Sequence, residues 1–581
     1  MKKTGKIFRW LSLLLVCLLV FTACSQTGDE SSSSTGETSE AVGSGTESSS
    51  GESSGDETEE TAAADGPMGK YDPPIQMVSA LSGLDATVKQ TDTENPEDNI
   101  WLRAYRDELG IEVTNLWAVD GTQGNDKINL AIASQDIPDV FRVNQTQFEQ
   151  LYQAGLLEDI SAVYEEYAGD FMKDVMSREG SDTALQACSR DGKLYGIPYF
   201  LNMTDNTPQI WIRKDWLDKL NLEEPESFED LETIIKAFHD QDPDGDGVDD
   251  TLGLLLESTV FNGSSGVFTS FMNCFHAYPF SWVERDGKLV NGLTEAEPMK
   301  AGLAKLAELY ADGYIRQDFA SYSWDDQAIP DMMNGNVGIT FGGLWEGWWP
   351  LGEMKATDPD VDWKTYPVMS ADDEPAKGQS KEIVLNGITV VKKGYEHPEA
   401  LIKMINLCNE KMWESDEETF FQYGYDAAGN NPWLYCNAYF EFPGKNYTLY
   451  QKGSKALEDG NTDDLTGEES LIYGWMKDYV DGTDLSRYGI YLSYGPDSSC
   501  AQIDYYLEND LYEYDKFYGN PTESQLDNES ILTDMFAEYA MNIVTGAYPL
   551  DAYDEFIENW YAQGGQQWTD EVNEWYAQQG E

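Results

Sequence analysis

The chain reads as an α/β protein with more than one lobe. Two observations predict this. Strand-like and helix-like segments alternate along most of its length, which implies a mainly parallel sheet with helices on both faces. Its 581 residues are also enough to bury two or more separate cores. In sheets of this kind, ligands sit beyond the carboxyl ends of the strands.

The folded part starts near Tyr71, and "IQMVSALSG" is a buried first strand. In "NIWLRAYRDELGIEVTNLWAV", Trp101, Leu102, Tyr105 and Leu109 recur at helical spacing. Gly110 ends that helix, and "IEVTNLWAV" is a second strand. "KINLAIAS" is a helix, "DIPDVFRVN" a short strand, and "FEQLYQAGLLEDIS" a helix with its exit. "DGKLYGIPYFLN" and "PQIWIRKDWLDKL" continue the pattern. In the latter, Arg213, Lys214, Asp215 and Trp216 mark a strand end and a helix start, with Asp215 as the N-cap. "FEDLETIIKAFHDQD" is an amphipathic helix, and "AGLAKLAELYADGYI" is a helix closed by Gly313. "NGNVGITFGGLWEGWWP" is a turn, a strand and an aromatic loop. "EIVLNGITVVKKGYEHPEALIKMINLCNE" is a strand pair and a helix, and residues 531–577 are mostly helical.

The segment before Tyr71 reads as targeting and spacing. Lys2, Lys3, Lys6 and Arg9 precede the apolar run Trp10–Ala23, which is too short for a comfortable membrane span. Residues 1–23 are therefore a signal peptide. "VFTAC" resembles a bacterial lipobox, although Phe21 stands where Leu is preferred. The resemblance makes Cys24 the lipidated residue, carrying acyl chains such as palmitate. Residues 24–70 form an acidic Ser/Gly-rich tether. Between Ser25 and Gly66 there is no aromatic residue, Lys or Arg, so chain entropy wins over burial.

The formal net charge is −69, from 106 acidic and 37 basic residues. Such a surface repels nucleic acid and anionic membranes, which leaves the lipid anchor as the only membrane contact. Cys188, Cys274, Cys408, Cys436 and Cys500 are odd in number and form no CxxC, so no disulfide framework is expected. Three histidines supply most Ser-His-Asp schemes poorly.

The densest acidic run is "HDQDPDGDGVDDTLG". Asp242, Asp244 and Asp246 take positions one, three and five of an EF-hand-like loop, with Gly247 at six. Val248 can offer its carbonyl at seven and Asp250 a carboxylate at nine. Position twelve is Gly253, where a sensor needs a bidentate Glu. Hard oxygen ligands at this spacing predict structural Ca²⁺ rather than a switch or a catalytic centre.

Four segments carry a family resemblance: "IASQDIPDVFRVNQTQFEQLYQAGLLEDIS", "GKLYGIPYF…IWIRKDWLDKLNLEEPESFEDLETIIKAFHDQDPDGDGVDDTLGL", "LYADGYIRQDF…MMNGNVGITFGGLW" and "GAYPLDAYDEFIENWYAQGGQQWTDEVNEWY". In this order they resemble the family 1 extracellular solute-binding proteins of ABC importers, in the large lipoprotein branch of Gram-positive bacteria. The chain is similar to alginate-oligosaccharide-binding and maltose-binding proteins from about Ile75 to Tyr576. The former carry calcium in a "DPNGNG" loop, where the residue after the last Asp is acidic; here it is Thr251.

The resemblance implies a periplasmic-binding-protein-like type II fold: two α/β lobes, a ligand cleft and a hinge crossed several times. Lobe 1 is about 71–198 and 386–490, and lobe 2 about 199–385 and 491–581. The implied partners are a saccharide and the membrane permease. The expected state is a monomer, lipid-anchored on the outer face of a Gram-positive cell.

Sugar clefts use flat aromatic faces and planar polar groups. By position, the candidates are Trp345, Trp348 and Trp349 in the aromatic loop, Asn144 and Gln145 after "PDVF", Tyr199 after "YGIP", and Asp205 and Trp282. The expected function is capture of an extracellular oligosaccharide for import, without catalysis. A peptide or another small solute is the alternative ligand. A secreted glycoside hydrolase ranks lower: among 106 acidic residues some pair always meets its spacing of roughly 5–10 Å, and no motif supports it.

Overall fold

In the computed structural model, the described residues are 65–84, 90–178, 181–201, 203–248, 250–261, 266–381, 384–425 and 430–579. The leader, Cys24, the tether up to residue 64 and Asp249 lie outside them.

A five-stranded sheet is built from β1 (Ile75–Ser82), β2 (Ile111–Val119), β3 (Val140–Val143), β4 (Gly196–Leu201) and, from much later in the chain, a strand at Val384–Val391. The spatial order is β2-β1-β3, then Val384–Val391, then β4. β1 runs parallel to β2 and β3, whereas Val384–Val391 is antiparallel to both its neighbours. Four strands therefore run in one direction and Val384–Val391 runs against them, a mainly parallel sheet with one reversed strand.

A second, three-stranded sheet has β5 (Gln209–Arg213) at its centre. Ile339–Gly342 and Trp363–Pro367 pair antiparallel on either side of it. All five residues of β5 are buried, as a central strand requires.

The buried apolar residues fall into separate cores. One gathers residues between Tyr71 and Phe200 with residues between Ile388 and Ile503, and adds Leu344. Another gathers residues between Ile210 and Ala376 with residues between Tyr506 and Val572. A small third core centres on Trp211, Tyr322, Trp363 and Tyr488. The backbone passes between the two large cores near residues 201–209, 377–387 and 504–505. The first core runs on past residue 490, since Tyr494, Cys500 and Ile503 pack in it.

Asp215 is not a helix cap. The helix Lys214–Leu220 has Arg213 at its N-cap with no side-chain cap bond. Asp215 lies in the first turn and accepts from Arg213 Nε at 2.7 Å and Nη2 at 2.6 Å. A bidentate guanidinium outbids a single backbone N–H for the same carboxylate.

Candidate functional site

A cavity of about 270 Å³ opens beside the carboxyl ends of β1 and β4. Ser82 and Gly83 line it where β1 ends, Arg142 from β3 and Tyr199 from β4. Asn386 adds an amide from the re-entrant strand. The far wall is Trp433, from the single-turn helix Pro432–Tyr435, and Asn437 and Tyr439 from the segment after it. Tyr199 and Tyr439 meet edge to face at 5.5 Å, and Trp433 tilts over Tyr439 at 5.0 Å. Asn437 is held by its Nδ2, which donates to Ser79 Oγ at 3.0 Å and Asn115 Oδ1 at 2.7 Å. Its own Oδ1 is buried without a partner.

Trp433 also belongs to a neighbouring cavity of about 470 Å³, together with Trp348, Tyr425, Trp475, Glu353 and Arg487. Trp348 stands edge-on to Tyr425 at 6.5 Å and to Tyr494 at 6.0 Å. The two cavities thus share one indole and offer aromatic surface next to amides and hydroxyls.

The helix Leu344–Trp348 presents the expected aromatic loop, immediately after the strand Ile339–Gly342. Trp345, Trp348 and Trp349 are 41%, 36% and 44% exposed, high values for residues of this size. Trp348 lines the cavity, and Trp345 packs edge-on against Trp324 at 6.4 Å. Between them Glu346 is buried, and burial holds its carboxyl well above the ordinary range. A Cβ on Gly342 would fall 1.9 Å from Glu346 Oε1, so glycine there is what lets this carboxyl tuck under the loop.

The other predicted residues scatter. Asn144 caps the helix Gln145–Gln153, accepting from Gln147 N–H at 2.8 Å in a capping box. Gln145 and Trp282 share a different cavity of about 160 Å³ with Lys381, Asp515 and Phe517. Trp282 is only 3% exposed and packs edge-on against Trp568 at 5.3 Å, so its indole mainly fills a core.

Asp205 sits at the first passage between the large cores. It accepts from Asn446 Nδ2 at 2.6 Å, while its Oδ1 is buried without a partner. Burial lifts its carboxyl to about 7; Lys445 and the Asn446 bond pull the other way.

In the acidic loop, Asp242, Asp244 and Asp246 bring carboxylate oxygens within 4.8 Å of one another. Asp242, Gly245 and Gly247 all have positive φ, which curls the loop inward. Backbone N–H groups of Gly245 and Gly247 donate to Asp242 at 3.0 and 3.1 Å, and Val248 N–H donates to Asp246 at 2.6 Å. The bond from Asp244 holds Asp242 low, whereas burial and then Asp242 push Asp244 up. Three crowded hard oxygens fit a calcium-type cation. Asp250 lies outside this cluster, and its Oδ2 accepts from Asn336 Nδ2 at 3.4 Å.

Sequence reasoning missed Arg142, Trp433, Tyr425, Trp475 and Asn437. Arg142 had a signal: a lone cation inside the apolar strand "DVFRV" of a very acidic chain. The others lie in helical or irregular stretches whose placement only the tertiary fold decides.

The chain is 24% identical over 538 residues to the polygalacturonan/rhamnogalacturonan-binding protein YtcQ of Bacillus subtilis, covering 87% of this chain and 98% of that one. It is 30% identical over 241 residues to lipoprotein LipO of the same organism, covering 41% and 46%. Its fold superposes with a TM-score of 0.59 on an EF-hand mutant of the Streptococcus pneumoniae ABC-transporter substrate-binding protein FusA in complex with fructo-nystose. That match is at 15% identity and covers 87% and 99% of the two chains. Residues 101–391 match the bacterial extracellular solute-binding protein family as a whole, and they include β3, β4, β5, the acidic loop and the aromatic helix. With two α/β cores and a cavity beside the sheet ends, the chain belongs to the bacterial extracellular solute-binding proteins.

Proposed function

We propose that the protein is the substrate-binding component of an ABC importer and captures an oligosaccharide outside the cell. The observation that carries this is the pair of cavities joined at Trp433. Tyr199, Tyr439, Trp433 and Trp348 supply ring faces, and Asn386, Asn437 and Ser82 supply planar amides and a hydroxyl. Pyranose and furanose rings need both, since their C–H faces stack while their hydroxyls require paired donors and acceptors. The names of YtcQ and FusA support the same ligand class.

In this reading Cys24 carries the lipid, and the acidic tether lets the domain reach the permease. Asp242, Asp244 and Asp246, with the Val248 carbonyl, hold a structural Ca²⁺. Asp250 contributes only if its loop closes further. The cation would neutralise three carboxylates that otherwise repel one another, and would stabilise the folded state by linkage. The domain works as a monomer.

A thermal-shift screen of mono- and oligosaccharides and peptides, followed by incubation of the hit, tests the reading. Stabilisation by an oligosaccharide without turnover is expected. Stabilisation by peptides alone would make the ligand a peptide, and product formation would make the protein an enzyme.

A further inference from the structure

The geometry points to a saccharide that carries a carboxylate, with Arg142 as the residue that receives it; this rests on the saccharide reading above. Every other described arginine has a carboxylate within 4.0 Å. Among the described residues Arg142 has none, in a chain where acidic residues outnumber basic ones 106 to 37. A half-buried guanidinium left unpaired amid such an excess of carboxylates is costly. It is explained if its counter-charge arrives with the ligand.

Its surroundings agree. Arg142 lines the 270 Å³ cavity, whose described lining residues include no Asp or Glu. The guanidinium lies 4.1 Å from the centroid of the Tyr199 ring, which fixes its plane. Nη2 donates to the Tyr439 carbonyl at 3.0 Å, and Nε has no protein acceptor. Glu441, two residues beyond Tyr439, is already engaged by the Tyr439 hydroxyl at 3.2 Å and by Lys445 at 3.8 Å. The described lining is therefore locally cationic inside a strongly anionic protein. A rigid, planar cation beside aromatic faces suits a uronic acid, whose ring stacks while its carboxylate takes the fork.

The test compares trigalacturonate with its methyl ester, which keeps the rings and removes the charge, by titration calorimetry. Wild type should bind the acid ~10–100-fold more tightly than the ester, the range for hydrogen bonds to charged groups. Arg142→Gln should bring the two within ~3-fold, and Arg142→Lys should keep part of the preference. The wild-type preference should also shrink with added salt, a readout that needs no variant. Equal binding of acid and ester by wild type, or an equal loss of both in Arg142→Gln, would overturn the inference. Binding of neutral oligosaccharides without any preference for the acid would overturn it while leaving the saccharide reading intact. No binding of any saccharide would sink both.

Discussion

Replacing Asp205 by Asn should change how stability depends on pH, and the magnitude can be worked out. Burial raises this carboxyl from the usual 3.8 to about 7. One Oδ accepts from Asn446, and the other is buried without a partner. In the unfolded chain the same group ionises near 3.8. Between pH 4 and 7 the folded state therefore holds a proton that the unfolded state has lost. Stability from this group is fully present below pH 4 and falls as pH rises through 7, by up to ~4 kcal/mol. Asparagine has the shape of the protonated acid and cannot ionise. Asp205→Asn should match wild type within ~1 kcal/mol at pH 4.5 and gain on it progressively up to pH 8. With an unfolding entropy of ~2 cal/mol/K per residue, that gain raises Tm by at most ~4 °C in a chain of this size. Calorimetric melts of both proteins across this pH range provide the measurement. Parallel Tm-versus-pH curves would refute the reasoning, because Asp205 would then be as acidic folded as unfolded.

Rigorous chelation of calcium should lower Tm without abolishing ligand binding in the cold, and Asp244→Asn should blunt the response to added Ca²⁺. An unchanged melting curve would remove the cation from this loop. Trp433→Ala or Trp348→Ala should weaken the oligosaccharide by ~1–3 kcal/mol in calorimetric titration, as truncation of buried aromatic anchors typically does, whereas Trp282→Ala should cost stability first. Glu346→Gln should match wild type at acidic pH and become the more stable as pH rises above the ordinary carboxylate range, since burial raises the native carboxyl; identical alkaline melts would count against this. Gly342→Ala should destabilise by ~1–3 kcal/mol and shift Trp fluorescence, because its Cβ collides with the Glu346 carboxyl.

Much of the scaffold was legible because its signals are local. The four-residue spacing of Trp101, Tyr105 and Leu109 marks one face of a helix over residues 100–109, with a π-helical second half, and all three are buried. "GITFGGLW" holds the strand Ile339–Gly342 and the start of the aromatic helix. The mixed direction of the first sheet was not legible. It depends on Val384–Val391 returning after nearly two hundred residues to lie between β3 and β4, and no window of sequence contains both partners. The site divides in the same way. Tyr199, within β4 just after "YGIP", and Trp348, in the short helix after a strand, could be named from position. Trp433, Tyr425 and Trp475 come from a stretch whose described residues form no strand, and it brings them to the cavity only by packing as a block on the first core. Trp282 shows the other side, an indole that borders a cavity yet is almost wholly buried against Trp568.

The acidic loop shows why one position departs from an EF-hand. Gly253 stands where a bidentate Glu would close the loop, and a Cβ there would meet the Ile235 carbonyl oxygen at 2.0 Å. Thr251, one residue past Asp250, is buried and donates to the Phe238 carbonyl at 2.9 Å, and Leu252 N–H donates to Asn336 at 2.7 Å. The second half of the loop thus fastens the helix Phe228–Asp240 to the strand side of its lobe, and only the first half gathers carboxylates that could hold a cation. Restoring the sensor residue as Gly253→Glu should therefore lower stability by ~2–4 kcal/mol in denaturant melts and leave calcium affinity no tighter. A stable variant with tighter calcium binding would show that the loop can swing away from Ile235, and that the brace is a switch after all.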